Sequence, residues 1–168
     1  MNNVKIAVTG LSWMKLGIRS IWSIIEDIIT NAKDEIQIAI YMITNNAIDF
    51  ITLLSNALHR GIKITIILNS FQFQNEKVKK ILLDLAKNFN NFYLFDFENV
   101  NGGSLHAKII VIDRTVAFIG SSNLTWSGLT SNHEIGLLIE GPVASQISNL
   151  IDVLSQGKNI VRIGYSNE

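Results

Sequence analysis

Four side chains in the second half of the sequence have the types and spacing of a phosphate-handling site. His106 and Lys108 are two residues apart, so on a β-strand both side chains point to the same face. Ser121 and Asn123 repeat this spacing further along the chain. A histidine that can act as base or nucleophile, a fixed cation, a hydroxyl and an amide are the groups needed to hold and attack a phosphate.

A predicted β-hairpin brings these two pairs of residues together, and two registers of the hairpin are open. In one register the turn is 114–115 and Lys108 lies opposite Ser121. In the other register the turn is 113–114 and His106 lies opposite Ser121. Both registers place all four side chains on one face of the sheet.

Asp113 differs in parity from the two basic residues, so its side chain faces away from them or lies in the turn. Its position favours a structural role, in which the carboxylate holds the hairpin through bonds to backbone groups.

Strand and helix periods alternate along the chain, and this alternation predicts the elements that position the site. Short segments rich in Ile, Val and Phe predict strands at 4–8, 36–42, 62–68 and 92–97, with helical periods between them. Such a pattern predicts an α/β fold with a mostly parallel sheet and helices on both faces.

The pattern changes after residue 98. Strands are predicted at 107–112, 116–119 and 134–139 with no helix between the first two, so the sheet is expected to be mixed. A last helix is predicted from about Pro142 to Gln156. The segment 160–163 either adds an edge strand or crosses to a partner.

Composition limits the classes of protein to which the chain can belong. With 168 residues it is expected to form a single domain, 1–168, and 48% hydrophobic with 17% charged residues excludes disorder. Its 14 basic residues balance 14 acidic ones, which argues against a tail-driven nucleic-acid binder but leaves room for a local basic groove. The chain has 0 cysteines, so disulfides and cysteine nucleophiles are excluded. We expect a cytoplasmic protein with no membrane partner, because neither a secretory signal nor an apolar span is evident.

The spacing of the polar residues resembles the H-x-K-x4-D-x6-G-S-x-N signature, or HKD motif, of the phospholipase D superfamily. Every fixed position of that signature is occupied, by His106, Lys108, Asp113, Gly120, Ser121 and Asn123. The residues that follow are also similar to those of nuclease-like members, namely Thr125, Gly128, Leu129, Asn132 and Glu134. The chain therefore resembles a nuclease-like member with a phospholipase D-like fold.

The resemblance implies a two-step transfer at phosphorus. His106 would attack and form a phosphohistidine, while a second histidine would protonate the leaving oxygen and then activate water. Lys108 and Asn123 would hold the non-bridging oxygens, with Ser121 assisting. Glu134 would accept a hydrogen bond from the other nitrogen of the His106 ring. The resemblance implies no metal and no other cofactor.

The signature occurs once, although the implied mechanism needs two histidines. The other histidines, His59 and His133, have no lysine two residues later. Small members of the superfamily pair two subunits across a two-fold axis, so the resemblance implies a homodimer with a shared active site.

Two further residues are candidates for contact with substrate. Gly103, beside Gly102, favours a mobile loop or one that approaches another group closely. Trp126 either stacks a base beside the site or belongs to the core.

The function predicted from these residues is a metal-independent endonuclease acting on DNA or RNA. The alternatives are a phospholipase or small phosphodiesterase, and a nucleic-acid-binding module of a defence or restriction system.

Overall fold

An eight-stranded sheet organises the chain in a computed structural model that describes residues 1–44, 48–98 and 102–164. Its strands are β1 (Asn3–Thr9), β2 (Glu35–Ile40), β3 (Lys63–Asn69), β4 (Phe92–Phe97), β5 (Lys108–Ile112), β6 (Val116–Gly120), β7 (Glu134–Glu140) and β8 (Ile160–Ile163). The helices are α1 (Leu11–Met14), α2 (Ile21–Thr30), α3 (Ile48–His59), α4 (Glu76–Asn88), α5 (Trp126–Thr130) and α6 (Pro142–Ser155). The strand order is β1-β7-β6-β5-β2-β3-β4-β8.

Parallel pairing is confined to one part of the sheet, so the prediction of a mostly parallel sheet is wrong. β2–β3 and β3–β4 are parallel, whereas β1–β7, β2–β5, β4–β8, β5–β6 and β6–β7 are antiparallel. The crossovers through α3 and α4 produce the parallel pairs, as the strand–helix alternation predicts. Later strands return antiparallel, and β1 pairs with β7 instead of β2. The segment 160–163 forms the edge strand β8.

Helices cover both faces of the sheet, as expected. On one face, α2, α3 and α4 pack on the main core, to which α2 contributes Ile21, Ile24, Ile25 and Ile29. On the other face, Ala144, Ile147 and Ile151 of α6 pack against the smaller core, which includes Ala39, Ile67, Val111, Ala117 and Ile139. Burial of these apolar side chains is the main force that holds each layer on the sheet.

The β5–β6 hairpin has a three-residue turn, so both predicted two-residue turns are wrong. Ile112 pairs with Val116, which leaves 113–115 as the turn. Asp113 and Arg114 adopt positive φ angles of 49° and 55° in this turn. Such backbone is unfavourable for residues other than glycine, so other contacts must stabilise the turn.

The side chains of the turn supply those contacts. The Asp113 carboxylate accepts hydrogen bonds from the backbone N–H groups of Lys33, Asp34 and Glu35 at 2.9, 2.8 and 2.9 Å. Arg114 forms ion pairs with Glu35 and with Asp152 of α6. Asp113 is therefore bonded to the segment that enters β2 and not to its own hairpin.

Candidate active site

The candidate site lies at one end of the sheet, where β5 and β7 begin and β2 and β6 end. Antiparallel pairing of β5 with both β2 and β6, and of β6 with β7, brings these four strand ends together. Residues that are distant in the sequence thus become neighbours at this end.

The two basic residues of the site are in direct contact. His106 is exposed just before β5, and Lys108 is the buried first residue of that strand. The Lys108 Nζ atom donates a hydrogen bond to the His106 carbonyl oxygen at 3.0 Å and lies 3.4 Å from Nδ1 of the ring. Burial lowers the pKa of the Lys108 ammonium, while the negative charge of Glu134 opposes this shift.

The carboxylate of Glu134 organises the other side of the site. It accepts hydrogen bonds from the Ser121 hydroxyl and, at 3.3 Å, from the Asn132 amide. The Ser121 oxygen also accepts the backbone N–H of Ile135 at 3.2 Å. Among the described residues, Glu134 bonds to Ser121 and Asn132 and forms no hydrogen bond with His106, which is the bond that the resemblance implied. Its local effect is to fix the Ser121 hydroxyl.

Ser121 and Asn123 lie in the loop after β6 and not on the strand predicted to carry them. The register of the hairpin, continued by one pair, places Gly120 across from Lys108, and β6 ends there. The prediction that all four polar side chains share one strand face is therefore wrong. Ser121 and Asn123 instead lie in the loop that follows β6, where strand alternation no longer applies.

The loop after β6 is fixed against the segment that follows β2. The Leu124 N–H donates to the Met42 carbonyl oxygen at 3.2 Å, which places Asn123 beside that segment. A Cβ atom on Gly128 would lie 2.6 Å from Ser122 Oγ and 2.7 Å from the Asn123 carbonyl oxygen. A glycine is therefore needed at 128 for this tight loop. The Asn123 Oδ1 atom is buried without a hydrogen-bond partner among the described residues.

Sequence reasoning missed an aromatic residue at the site. The ring of Tyr41 lies 4.9 Å from the His106 ring, centroid to centroid, and its centroid lies 5.4 Å from Lys108 Nζ. Tyr41 directly follows β2, so its place at the end of a predicted apolar strand was the available signal. That signal is weak without the pairing of β2 with β5.

The two predicted substrate-contact residues are both exposed. A Cβ atom on Gly103 would meet no described atom within 4 Å, so no contact among the described residues requires a glycine there. Trp126, the first residue of α5, is 56% exposed. The alternative that assigned Trp126 to the core is therefore wrong.

The donor set of the site is made of nitrogen and hydroxyl groups with a single carboxylate. Across residues 1–44, 48–98 and 102–164, no three His, Asp or Glu side chains converge in a way that could hold a metal ion. None of the helices described is long and apolar enough to cross a membrane.

Known proteins match most of this chain. The profile of a family described as "Cardiolipin synthase, PLD-like domain" matches residues 25–154. DISARM protein DrmC of Bacillus paralicheniformis is 25% identical over 152 residues, which cover 89% of this chain and 62% of that protein. Phospholipase D Y of Dictyostelium discoideum is 29% identical over 130 residues, covering 68% of this chain and 29% of that protein. The chain thus spans less than two thirds of each relative.

A solved structure shows the same fold over nearly the whole chain. Nuc from Salmonella typhimurium, a phospholipase D family member, has a TM-score of 0.78 at 20% identity. The alignment covers 98% of this chain and 100% of that one.

Proposed function

Because the chain belongs to the phospholipase D superfamily of phosphodiesterases, we propose that it is a metal-independent endonuclease that forms a phosphohistidine intermediate. The observation that carries the proposal is the contact of His106 with Lys108. The site pairs an exposed imidazole with a buried ammonium that can neutralise a phosphate. Preorganised charge at the place where negative charge develops is usually the largest single contribution to catalysis.

The proposed reaction has two displacements at phosphorus. In the first, a ring nitrogen of neutral His106 attacks, the bond to the leaving oxygen breaks, and a second histidine gives that oxygen a proton. In the second, the same histidine takes a proton from water, the water oxygen attacks phosphorus, and the P–N bond breaks. Lys108 and the Asn123 amide hold the non-bridging oxygens, and Ser121, fixed by Glu134, assists them.

The second histidine is proposed to be His106 of another copy of the chain, so the active site is shared within a homodimer. An apolar sheet face supports this assembly. The face that carries α6 has four large apolar side chains that are 40–54% exposed, namely Val4, Ile6, Ile135 and Leu137. Ile6 pairs directly with Leu137. Four large apolar side chains on adjacent strands form a surface suited to a second copy. The same strand, β7, begins at Glu134 of the site.

Nucleic acid is the proposed substrate because the chain has the single signature of the nuclease-like members. The match to Nuc extends over all of that one-domain chain, whereas the chain spans only 29% of phospholipase D Y. The protein carries no net charge, yet a local contact such as that of Lys108 suffices to bind one phosphate of the substrate. Such binding should weaken as salt concentration rises.

A phospholipid is the second candidate substrate, and one observation favours it. Leu11 and Leu16 are 80% and 70% exposed in the segment that follows β1. β1 ends at Thr9, which pairs with Glu134, so this apolar segment begins at the site end of the sheet. Apolar side chains beside a site can contact a lipid surface.

The test compares substrates in EDTA. Plasmid, single-stranded DNA, RNA and vesicles of labelled phosphatidylglycerol are each incubated with wild type, His106→Ala and His59→Ala. His59 lies in the last turn of α3, so its variant is the matched control. We expect wild type and H59A to cut nucleic acid, with a loss of about 10³-fold or more in H106A. If the phosphohistidine forms, label from the substrate should remain on the wild-type protein after denaturation. That label should be lost in acid and retained in base.

Other results would replace the proposal. Cleavage of the lipid alone would select the phospholipase, and binding of nucleic acid without cleavage would select the binding module. Cutting that survives in H106A would show that His106 is not the nucleophile.

A further inference from the structure

One aromatic ring touches both basic residues of the site. The Tyr41 and His106 rings are 4.9 Å apart at an interplanar angle of 56°, within the range of favourable aromatic pairs. Lys108 Nζ lies 5.4 Å from the centroid of the same ring, within reach of a cation–π interaction. Tyr41 therefore forms a wall common to the imidazole and the ammonium.

The backbone that carries this ring is held from two sides. The Tyr41 N–H donates to the Ala107 carbonyl oxygen at 3.1 Å, one residue beyond the β2–β5 ladder. On the other side, the buried Gln74 side chain donates to the Tyr41 carbonyl oxygen at 3.0 Å and accepts from the Ile43 N–H at 3.1 Å. These bonds fix the backbone of Tyr41 and do not involve its hydroxyl.

Leu105, the residue before His106, is held by Asn69, which Gln74 also contacts. Asn69 is buried at the end of β3, and its Oδ1 atom accepts the Leu105 N–H at 2.8 Å. Gln74 also donates to the Asn69 carbonyl oxygen at 2.7 Å. Gln74 and Asn69 therefore connect the segment of Tyr41 with the segment of His106.

We propose that Tyr41 is a positioning residue, whose ring holds the exposed His106 imidazole and the Lys108 ammonium in the arrangement needed for attack on phosphorus. The inference rests on the proposed function. An exposed histidine otherwise samples several rotamers, and each rotamer moves the attacking nitrogen by more than the tolerance of a displacement reaction. Tyr41 contacts both residues through its ring, so the ring is the functional part.

The first test is kinetic. Tyr41→Phe keeps the ring and should keep kcat, whereas Tyr41→Leu removes it and should lower kcat by about 10- to 100-fold with little change in KM. Tyr93→Leu is the matched control, because Tyr93 on β4 also lies beside cations, Lys63 at 5.5 Å and Arg162 at 4.9 Å. Wild-type kcat in Y41L, or an equal loss of kcat in Y41F, would overturn the proposal.

The second test does not need turnover. In spectra of protein labelled with ¹⁵N-histidine, the His106 ring signals of Y41L should shift toward those of a free histidine, while Y41F stays close to wild type. His59 and His133 serve as internal references. If the wild type cleaves nothing, the proposed function fails, yet this measurement still tests the contact. Unmoved His106 signals in folded Y41L would overturn it. Should Y41L not fold, the same outcomes apply to Tyr41→Met, whose flexible side chain fills similar space.

Discussion

The carboxylate of Glu134 supports the positive charge of Lys108 at the end of the sheet. Burial alone lowers the pKa of Lys108, and the Coulombic effect of Glu134 raises it. The two residues begin β7 and β5, the strands on either side of β6. Glu134, which also fixes the Ser121 hydroxyl, therefore favours the charged form of Lys108.

Replacing Glu134 by Gln should narrow the pH range of activity from the alkaline side. The proposed mechanism needs charged Lys108, so activity falls as pH rises through the pKa of that group. Without the Glu134 charge that pKa falls further, so the alkaline limb of the kcat/KM profile should move to lower pH. Glu140→Gln, at the other end of β7, is the control and should leave the limb in place. A limb that stays unmoved in E134Q would contradict the prediction.

Mixed dimers test whether two copies of His106 serve one site. Wild type and H106A chains are refolded together in equal amounts, so that subunits associate at random. If each active site needs both histidines, activity should fall to about one quarter of that of the all-wild-type sample. A self-sufficient subunit would retain about one half. The same mixture made with H59A should keep full activity, and light scattering should give the mass of a dimer.

Removal of the Asp113 carboxylate should destabilise the fold without altering the chemistry. Asp113→Ala leaves three backbone N–H groups without their acceptor, those of Lys33, Asp34 and Glu35, and should lower the free energy of unfolding by about 1.5–3 kcal/mol. Denaturant unfolding provides the measurement, and kcat of the folded protein should not change.

Asp113→Gly separates the two contributions to this loss. Glycine relaxes the backbone at φ 49° but also removes the acceptors. The D113G variant should therefore remain clearly less stable than wild type. Wild-type stability in D113G would show that backbone strain, and not the lost bonds, explains the effect of alanine.

Short-range features of the site could be predicted from the sequence. His106 and Lys108 are two residues apart, so their proximity is local in the chain. The parallel strands β2 to β4 follow from the alternation of strand and helix periods. Each of these features depends on interactions that are local in the chain.

The remaining features depend on distant contacts. The hairpin register is set by bonds from Asp113 to residues before β2, so turn rules for an isolated hairpin chose the wrong length. The pairing of β1 with β7 joins two segments that are far apart in the sequence, from Asn3 opposite Glu140 to Thr9 opposite Glu134. The role of Tyr41 requires that β2 lie beside β5. None of these neighbours can be identified from one sequence without the topology.

Gly136 leaves room for the Phe118 ring on the face of the sheet near the site. A Cβ atom at 136 would clash with the Phe118 ring, reaching 2.6 Å from its Cε2 atom. Gly136 pairs with Gly120, the last residue before Ser121, so the ring lies over two adjacent glycines. Gly136→Ala should therefore overpack this face and lower the free energy of unfolding by about 1–3 kcal/mol.

A smaller side chain at 118 should relieve that clash. Because Phe118→Leu removes the ring, adding G136A to F118L should cost less than adding it to wild type, which a double-mutant cycle of denaturant unfolding measures as a favourable coupling. Gly103→Ala is the control, since a Cβ there meets nothing within 4 Å and should change stability by less than about 0.5 kcal/mol. Additive costs in the double mutant would mean that the ring moves aside freely. The Gly120–Gly136 pair would then not be what allows the Phe118 ring to lie on this part of the sheet.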